Sequence, residues 1–300
     1  MTDLLQLAPP ARVVLVPGRG EMTVRDSGPE TANRGTLLLL HGWMFGADLN
    51  WITAYLPLQE AGYRVIAVDH RGHGRGIRSQ QPFRLKDCAD DCAALLRVMK
   101  TGAVTVVGYS MGGAITQLMA RDHRDVVAAI VLCATTDQWK DSRSMRMAWK
   151  TIGALEFALT HTNHRFWARL LRRSGLASGG EVTDWIISEL ERNDARAIAE
   201  AGREMARYDA RAWIGKLRLP AAVICPRQDD LVPPHFQRQL AADIPGARLY
   251  ELEGRHIVVT QDSARYNRVL LHAIAELESA GARGGETGPA RGTDREKAIA

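Results

Sequence analysis

Cysteine is scarce in this chain: Cys88, Cys92, Cys133 and Cys225 are the four among 300 residues. They form no Cys-x-x-Cys pair and no Cys/His cluster at zinc spacing, so a zinc-ribbon or finger-type site is excluded and the thiols are expected to be reduced. Cys88 and Cys92 lie one turn apart in a helical pattern, where two thiols on one face fill a core. Long apolar runs are also missing. The stretch Val126 to Ala134 is far too short to span a bilayer, and no integral membrane segment is expected. Met1-Thr2-Asp3 does not open on a basic segment leading into an apolar run, so no secretory signal is expected and the expected location is cytoplasmic. There is no Lys/Arg block interleaved with aromatics. The net charge of +5 is carried by arginines scattered among acids, which argues against a nucleic-acid partner. No internal repeat is present.

What is present is the composition of a globular enzyme, 46% hydrophobic and 24% charged, at a length that suits one large α/β domain with a small insertion. Arg12 to Val16 and Glu21 to Arg25 read as two strands around Pro17-Gly18-Arg19-Gly20. Short apolar runs follow at Thr36 to Leu40, Arg64 to Val68, Val104 to Val107, Ala129 to Cys133 and Ala221 to Cys225. Helical stretches such as Leu85 to Met99 and Gly112 to Arg121 separate most of them. Continuous apolar runs alternating with helices predict a parallel sheet covered on both faces. Ligands of such sheets bind beyond the carboxyl ends of the strands.

The alternation stops between about Asp137 and Trp213. Helical spacing there covers Met145 to Leu159, Phe166 to Leu171, Val182 to Leu190 and Ile198 to Tyr208. The expected organisation is a core of residues 1–136 and 214–278, a helical cap of residues 137–213, and a disordered tail of residues 279–300 rich in glycine and charge. Five of the seven tryptophans, Trp139, Trp149, Trp167, Trp185 and Trp213, fall in the cap segment, where packing is the expected role of each. Arg165, Arg169, Arg172 and Arg173 share a helix face, expected to be a solvated one.

The chemistry concentrates at Gly108-Tyr109-Ser110-Met111-Gly112-Gly113. This Gly-x-Ser-x-Gly follows a buried run and opens a helix, the strand–turn–helix setting that exposes a strained serine hydroxyl. Ser110 is the candidate nucleophile. A serine needs a histidine to take its proton and an acid to orient that histidine; in folds that carry the serine on this strand–turn–helix elbow, the chain order is Ser, Asp/Glu, His. That order removes His41, His70, His73 and His123. Beyond the last apolar run remain His235, His256 and His272; of these, His256 lies in a loop after the strand-like Arg248 to Leu252 and is the candidate base. Asp229 and Asp230 are adjacent candidates for the acid after Cys225, with Asp137 a further one. The expected oxyanion donors are the N–H groups of Met111 and of Trp43 in His41-Gly42-Trp43, with His41 orienting that loop.

Together, His41-Gly42-Trp43, Asp69-His70-Arg71-Gly72-His73-Gly74, Gly108 to Gly112 and the Asp229/His256 pair resemble the α/β-hydrolase fold family from about Arg12 to Ser279. The resemblance implies an eight-stranded, mostly parallel sheet, a cap after the sixth strand, and hydrolysis through an acyl-enzyme with no cofactor and no metal. It selects Asp229 as the acid, four residues before Pro233. His-Gly-Trp is similar to the cofactor-free perhydrolase and esterase branch. The expected substrate is a small or medium carboxylic ester, with carbon–carbon bond hydrolysis or a lyase reaction on the same triad as the alternative and a non-catalytic small-molecule receptor behind both. Two departures from the family pattern stand out. Arg75-Gly76-Ile77-Arg78-Ser79 runs where relatives place a serine soon after Gly74, and Pro226 stands where a glycine often precedes the acid.

Overall fold

The computed structural model of the protein describes residues 8–139 and 180–285. Eight strands form one sheet: β1 (Ala11–Val16), β2 (Gly20–Asp26), β3 (Gly35–Leu40), β4 (Tyr63–Val68), β5 (Val104–Tyr109), β6 (Val127–Cys133), β7 (Ala221–Pro226) and β8 (Arg248–Leu252). Their spatial order is β1-β2-β4-β3-β5-β6-β7-β8. The β1–β2 hairpin and the β2–β4 pair are antiparallel, and every pair from β4 to β8 is parallel.

Strand parity divides the core. Leu38 and Leu40 of β3 point to one face, with Ile66, Val68 and Val106, while Leu37 and Leu39 point to the other with Val65, Ala67 and Val107. A strand buried on both faces must be apolar at every position, which is why these segments read as continuous runs and not as alternations. The hairpin differs. In β1 only Val14 and Val16 are buried, and Val13 and Leu15 face outward at this sheet edge.

The first face is covered by α3 (Leu85–Val98), α4 (Met111–Asp122) and α7 (Pro234–Asp243). The second is covered by α1 (Ala47–Trp51), α2 (Tyr55–Glu60), α8 (Val258–Gln261) and α9 (Ser263–Gly285). Cys88 and Cys92 are buried on α3, with burial pushing both thiols far up, so neither is a nucleophile. Helix α9 continues through Gly285, past the boundary read at Ser279. Ser279 Oγ donates back to the Ala275 carbonyl at 2.9 Å, and adding residues to an established helix avoids the cost of nucleating one.

Chain order reverses between β3 and β5, neighbours in space that lead in opposite directions along the sheet. The crevice beyond their carboxyl ends is where an open α/β sheet takes its ligands. His41 follows β3 and Ser110 follows β5, so both flank that crevice. After β6 the chain leaves the sheet and returns beside itself: Gln138 and Asp209 form an isolated antiparallel bridge, and Ala210 N–H donates to the Asp137 carbonyl. Between these points α5 (Glu181–Glu191) and α6 (Ala195–Arg207) match two of the four helical patterns of the inserted segment. The other two, with Trp149, Trp167 and the arginines at 165, 169, 172 and 173, lie outside the described residues. Among the described residues no helix is long and apolar enough to cross a membrane.

Candidate active site

Ser110 caps α4 with φ 53° and ψ −115°, a conformation that costs a non-glycine residue about 1–3 kcal/mol. The surroundings hold it there. Its N–H donates to the Cys133 carbonyl at 2.9 Å, and its own carbonyl accepts from Gly113 N–H at 2.9 Å and Thr135 Oγ1 at 2.8 Å. The glycines are required by contact. A Cβ on Gly108 would sit 2.2 Å from Thr116 Oγ1, and one on Gly112 would sit 2.2 Å from the Leu40 carbonyl oxygen. The tight turn therefore needs bare backbone on both sides of the serine.

Three loops from the strand ends bring the other groups to Ser110. His256 Nε2 lies 3.2 Å from Ser110 Oγ, and His256 Nδ1 lies 2.9 Å from Asp229 Oδ2 and 3.0 Å from Oδ1. Ionised Asp229 only accepts, so Nδ1 carries the proton and Nε2 offers its lone pair to the serine. Asp229 is buried, and its Oδ1 also accepts from Leu231 N–H at 3.0 Å and Val232 N–H at 2.8 Å. Asp230 points the other way, pairing on the surface with Arg255 at 2.6 Å. Asp137 bonds Thr136 and backs onto Ala210, and burial raises its carboxyl above the ordinary range. Of the three acids, Asp229 is the one brought to His256. The other two candidate histidines lie elsewhere: His235 stacks on Phe236, and His272 is an exposed neighbour of Glu276.

The loop after β3 closes the other side. A Cβ on Gly42 would meet Ser110 Cβ at 3.4 Å, so this backbone passes directly over Ser110. Gly42 N–H is taken by Asn50 Oδ1 at 3.0 Å, which removes it from any substrate. Met111 is the first residue of α4, where the N–H has no intrahelical acceptor and the dipole is positive. His41 braces the loop. Its Nδ1 donates to the Gly42 carbonyl at 2.8 Å, and its Nε2 accepts from His70 N–H at 3.0 Å.

Behind the loop, His41, His70 and His73 form a buried cluster, with ring centroids of His41 4.3 Å from His70 and 5.4 Å from His73. Among the described residues, neither ring nitrogen of His70 has a hydrogen-bond partner, nor has Nε2 of His73. Burial holds all three imidazoles neutral, pushing His41 down to about 4, His73 down to about 3 and His70 well below the ordinary value. The unfolded chain thus binds more protons than the fold below about pH 6.5. Stability is complete above that pH and falls as pH drops towards the folded values, by at most about 1.4 kcal/mol per pH unit for each histidine. Urea unfolding should show a clearly lower midpoint at pH 5 than at pH 7.5; equal midpoints would contradict a neutral cluster.

Several contacts around the site have no sequence pattern to announce them. Gln237 Nε2 donates to Asp229 Oδ2 at 2.9 Å and to the Val232 carbonyl at 2.7 Å, fixing the acid from α7. Tyr109 OH donates to the His256 carbonyl. Gln228 N–H donates to the Gly254 carbonyl at 3.0 Å, tying the acid's loop to the base's loop. Of the tryptophans in the inserted segment, Trp139 packs on Tyr208 and Trp213 lies under the Arg121 guanidinium, both structural contacts.

The unusual run after Gly74 fastens the inserted helices to the core. Arg75 forms a bidentate pair with Glu189 of α5 at 2.8 and 2.9 Å, and Arg78 donates to the Arg192 carbonyl at 2.6 Å. Glu189 is buried and is also reached by Arg192 at 3.1 Å. Arg75→Met strands part of that carboxylate and should cost about 1–3 kcal/mol in urea unfolding. A loss under about 0.5 kcal/mol, the size expected of an exposed pair, would contradict this fastening role.

Comparison with known proteins agrees with this architecture. The profile described as the alpha/beta hydrolase fold matches residues 35–260. A pimeloyl-[acyl-carrier protein] methyl ester esterase of Chromobacterium violaceum is 29% identical over 231 residues, covering 74% of this chain and 87% of that protein. The magnesium-chelatase 30 kDa subunit of Rhodobacter capsulatus is also 29% identical, over 248 residues, covering 78% of this chain and 84% of that one. Equal similarity to two differently named proteins means that the substrate must be argued from the site. Among solved structures, an esterase (EaEST) from Exiguobacterium antarcticum superposes with TM-score 0.75 at 19% identity, covering 89% of this chain and all of that one. With its sheet, its Gly-x-Ser-x-Gly turn and the family match over most of its length, the chain belongs to the α/β-hydrolase fold family and is a hydrolase.

Proposed function

We propose that the protein hydrolyses a small or medium carboxylic ester through an acyl-enzyme on Ser110. The observation that carries this reading is the unbroken line from Ser110 Oγ through His256 to buried Asp229, with the helix-opening amide of Met111 beside it. Ser110 Oγ attacks the ester carbonyl carbon while His256 Nε2 takes its proton. The carbonyl oxygen becomes an oxyanion, held by the N–H groups of Met111 and Trp43. Collapse expels the alcohol, which receives the proton from His256. Water, deprotonated by the same imidazole, then attacks the acyl carbon; the acyl–Oγ bond breaks, His256 returns the proton to Ser110 Oγ, and the acid is freed. Asp229 holds the Nδ1–H tautomer and stabilises the imidazolium formed in each half-reaction.

No step calls on a cofactor or metal. Helices α5 and α6 serve as part of a cap over the crevice, in keeping with the Asn193 bond to the Met44 carbonyl and the Gln138–Asp209 bridge. The similarity to a methyl ester esterase supports an ester substrate. A panel of p-nitrophenyl esters from acetate to palmitate, run beside a vinylogous diketone, tests the reading. Ester turnover that peaks at short or medium acyl length is expected. Turnover of the diketone with none of the esters would favour carbon–carbon bond hydrolysis, and turnover of neither would favour a receptor.

A further inference from the structure

The loop that carries the Trp43 amide contains an unexpected strain. Met44 has φ 67°, a left-handed conformation that a side chain disfavours, and it persists only where the surroundings over-determine it. The core supplies two anchors, Asn50 on Gly42 N–H and Asp69 on Ala47 N–H, the latter at 2.6 Å. Neither touches Met44. The hydrogen bond on Met44 itself comes from the inserted segment: Asn193 Nδ2 donates to the Met44 carbonyl at 2.7 Å.

Asn193 lies in the short connection between α5 and α6, and both ends of its amide are used. While Nδ2 holds Met44, Oδ1 accepts from Gly74 N–H at 2.8 Å. The connection is seated firmly, since Asp194 N–H donates to the Gly72 carbonyl at 2.8 Å and the Asp194 side chain caps α6 at Ala197 N–H. One turn on, the α6 carbonyl of Ile198 accepts from Trp43 Nε1 at 2.8 Å. The residue proposed as oxyanion donor and its strained neighbour are therefore both pinned by the same helical pair.

We propose that Asn193 is a positioning residue for the oxyanion hole: its amide fixes the left-handed Met44 turn from the inserted helices and so aims the Trp43 N–H. This rests on the assignment of Ser110 as nucleophile and Trp43 N–H as oxyanion donor. Only a side chain that donates and accepts can bridge Met44 O and Gly74 N–H. Aspartate keeps the size and the acceptor but sets a carboxylate oxygen against the Met44 carbonyl.

The test compares wild type, Asn193→Asp and Trp43→Phe, which keeps the Trp43 main-chain N–H while removing the bond to Ile198. In Asn193→Asp, kcat/KM on p-nitrophenyl acetate should fall about tenfold, less than the loss on deleting a donor outright. Affinity for an acyl trifluoromethyl ketone, whose adduct with Ser110 carries an oxyanion, should fall by a similar factor. Affinity for the unreactive methyl ketone of the same shape should stay within about twofold, because it draws little on the hole. Trp43→Phe should shift the same quantities in the same direction; if Asn193→Asp does not fold, Asn193→Ser, whose shorter arm cannot span both Met44 O and Gly74 N–H, is read in its place. If thermal stability drops while the two ketones weaken equally, Asn193 merely fastens the cap and the proposal is overturned. Unchanged kinetics in both variants overturn it as well, provided Ser110→Ala is inactive. If Ser110→Ala retains turnover, the assignment of Ser110 is itself wrong.

Discussion

Ser110→Ala should lose ester turnover by a factor on the order of 10⁶ in kcat while keeping its thermal stability, because the residue's contribution is chemical. His256 Nε2 reaches the hydroxyl at 3.2 Å, and removing that oxygen leaves the imidazole with no nucleophile to activate. The backbone of the turn is held by the bonds from Cys133, Gly113 and Thr135, none of which involves the serine side chain. Residual turnover of roughly 10³-fold over water would be the oxyanion donors and binding acting alone. Steady-state kinetics with a phosphonate-titrated wild type as reference would measure it, and a loss smaller than about a hundredfold would contradict the assignment.

Asp229→Asn should lower kcat by about 10⁴-fold, whereas Asp230→Asn should leave it within about twofold of wild type. The reasoning is one of donors and acceptors. Leu231 and Val232 N–H groups both demand an acceptor at Oδ1, so an asparagine must place its oxygen there and its NH₂ at the Oδ2 position. That NH₂ then faces Gln237 Nε2 and His256 Nδ1. His256 has to turn a lone pair towards it, which moves the ring proton to Nε2 and points an N–H at Ser110 Oγ. The nucleophile meets a donor where it needs a base. Asp230 faces solvent and Arg255, where loss of one exposed ion pair is worth little. Equal activity losses in the two variants would contradict the geometry.

Much of this arrangement can be read along the chain, and the reasons are physical. Strands β3 to β7 are apolar at consecutive positions because both faces are covered, so their runs and the loops after them stand out. Ser110 is legible because its glycines are forced by contacts with Thr116 and Leu40. His41 reads as structural from chain order, and its two hydrogen bonds along the β3 loop agree. The choice between Asp229 and Asp230 is harder, since adjacent carboxylates differ only in which one the turn amides of Leu231 and Val232 draw inward. The offset to Pro233 reflects that turn without displaying it. Asn193 and Gln237 have no local signal at all. A side-chain amide near a helix is commonly solvated, and Asn193 meets Met44 across 149 residues of sequence. Arg75 and Arg78 announce a departure from the family, but their partners Glu189 and Arg192 appear only once α5 is in place. The short helices α1, α2 and α8, five, six and four residues long, carry too few turns for a period to show.

The central claim is that Ser110 is the nucleophile activated by His256. Reaction of the folded protein with a fluorophosphonate, followed by peptide mass mapping, tests it most directly. The account predicts one phosphonyl adduct, on the peptide containing Ser110, formed in wild type and absent in both Ser110→Ala and His256→Ala. An adduct on another residue, or ester turnover that persists in protein left unlabelled at Ser110, would contradict it.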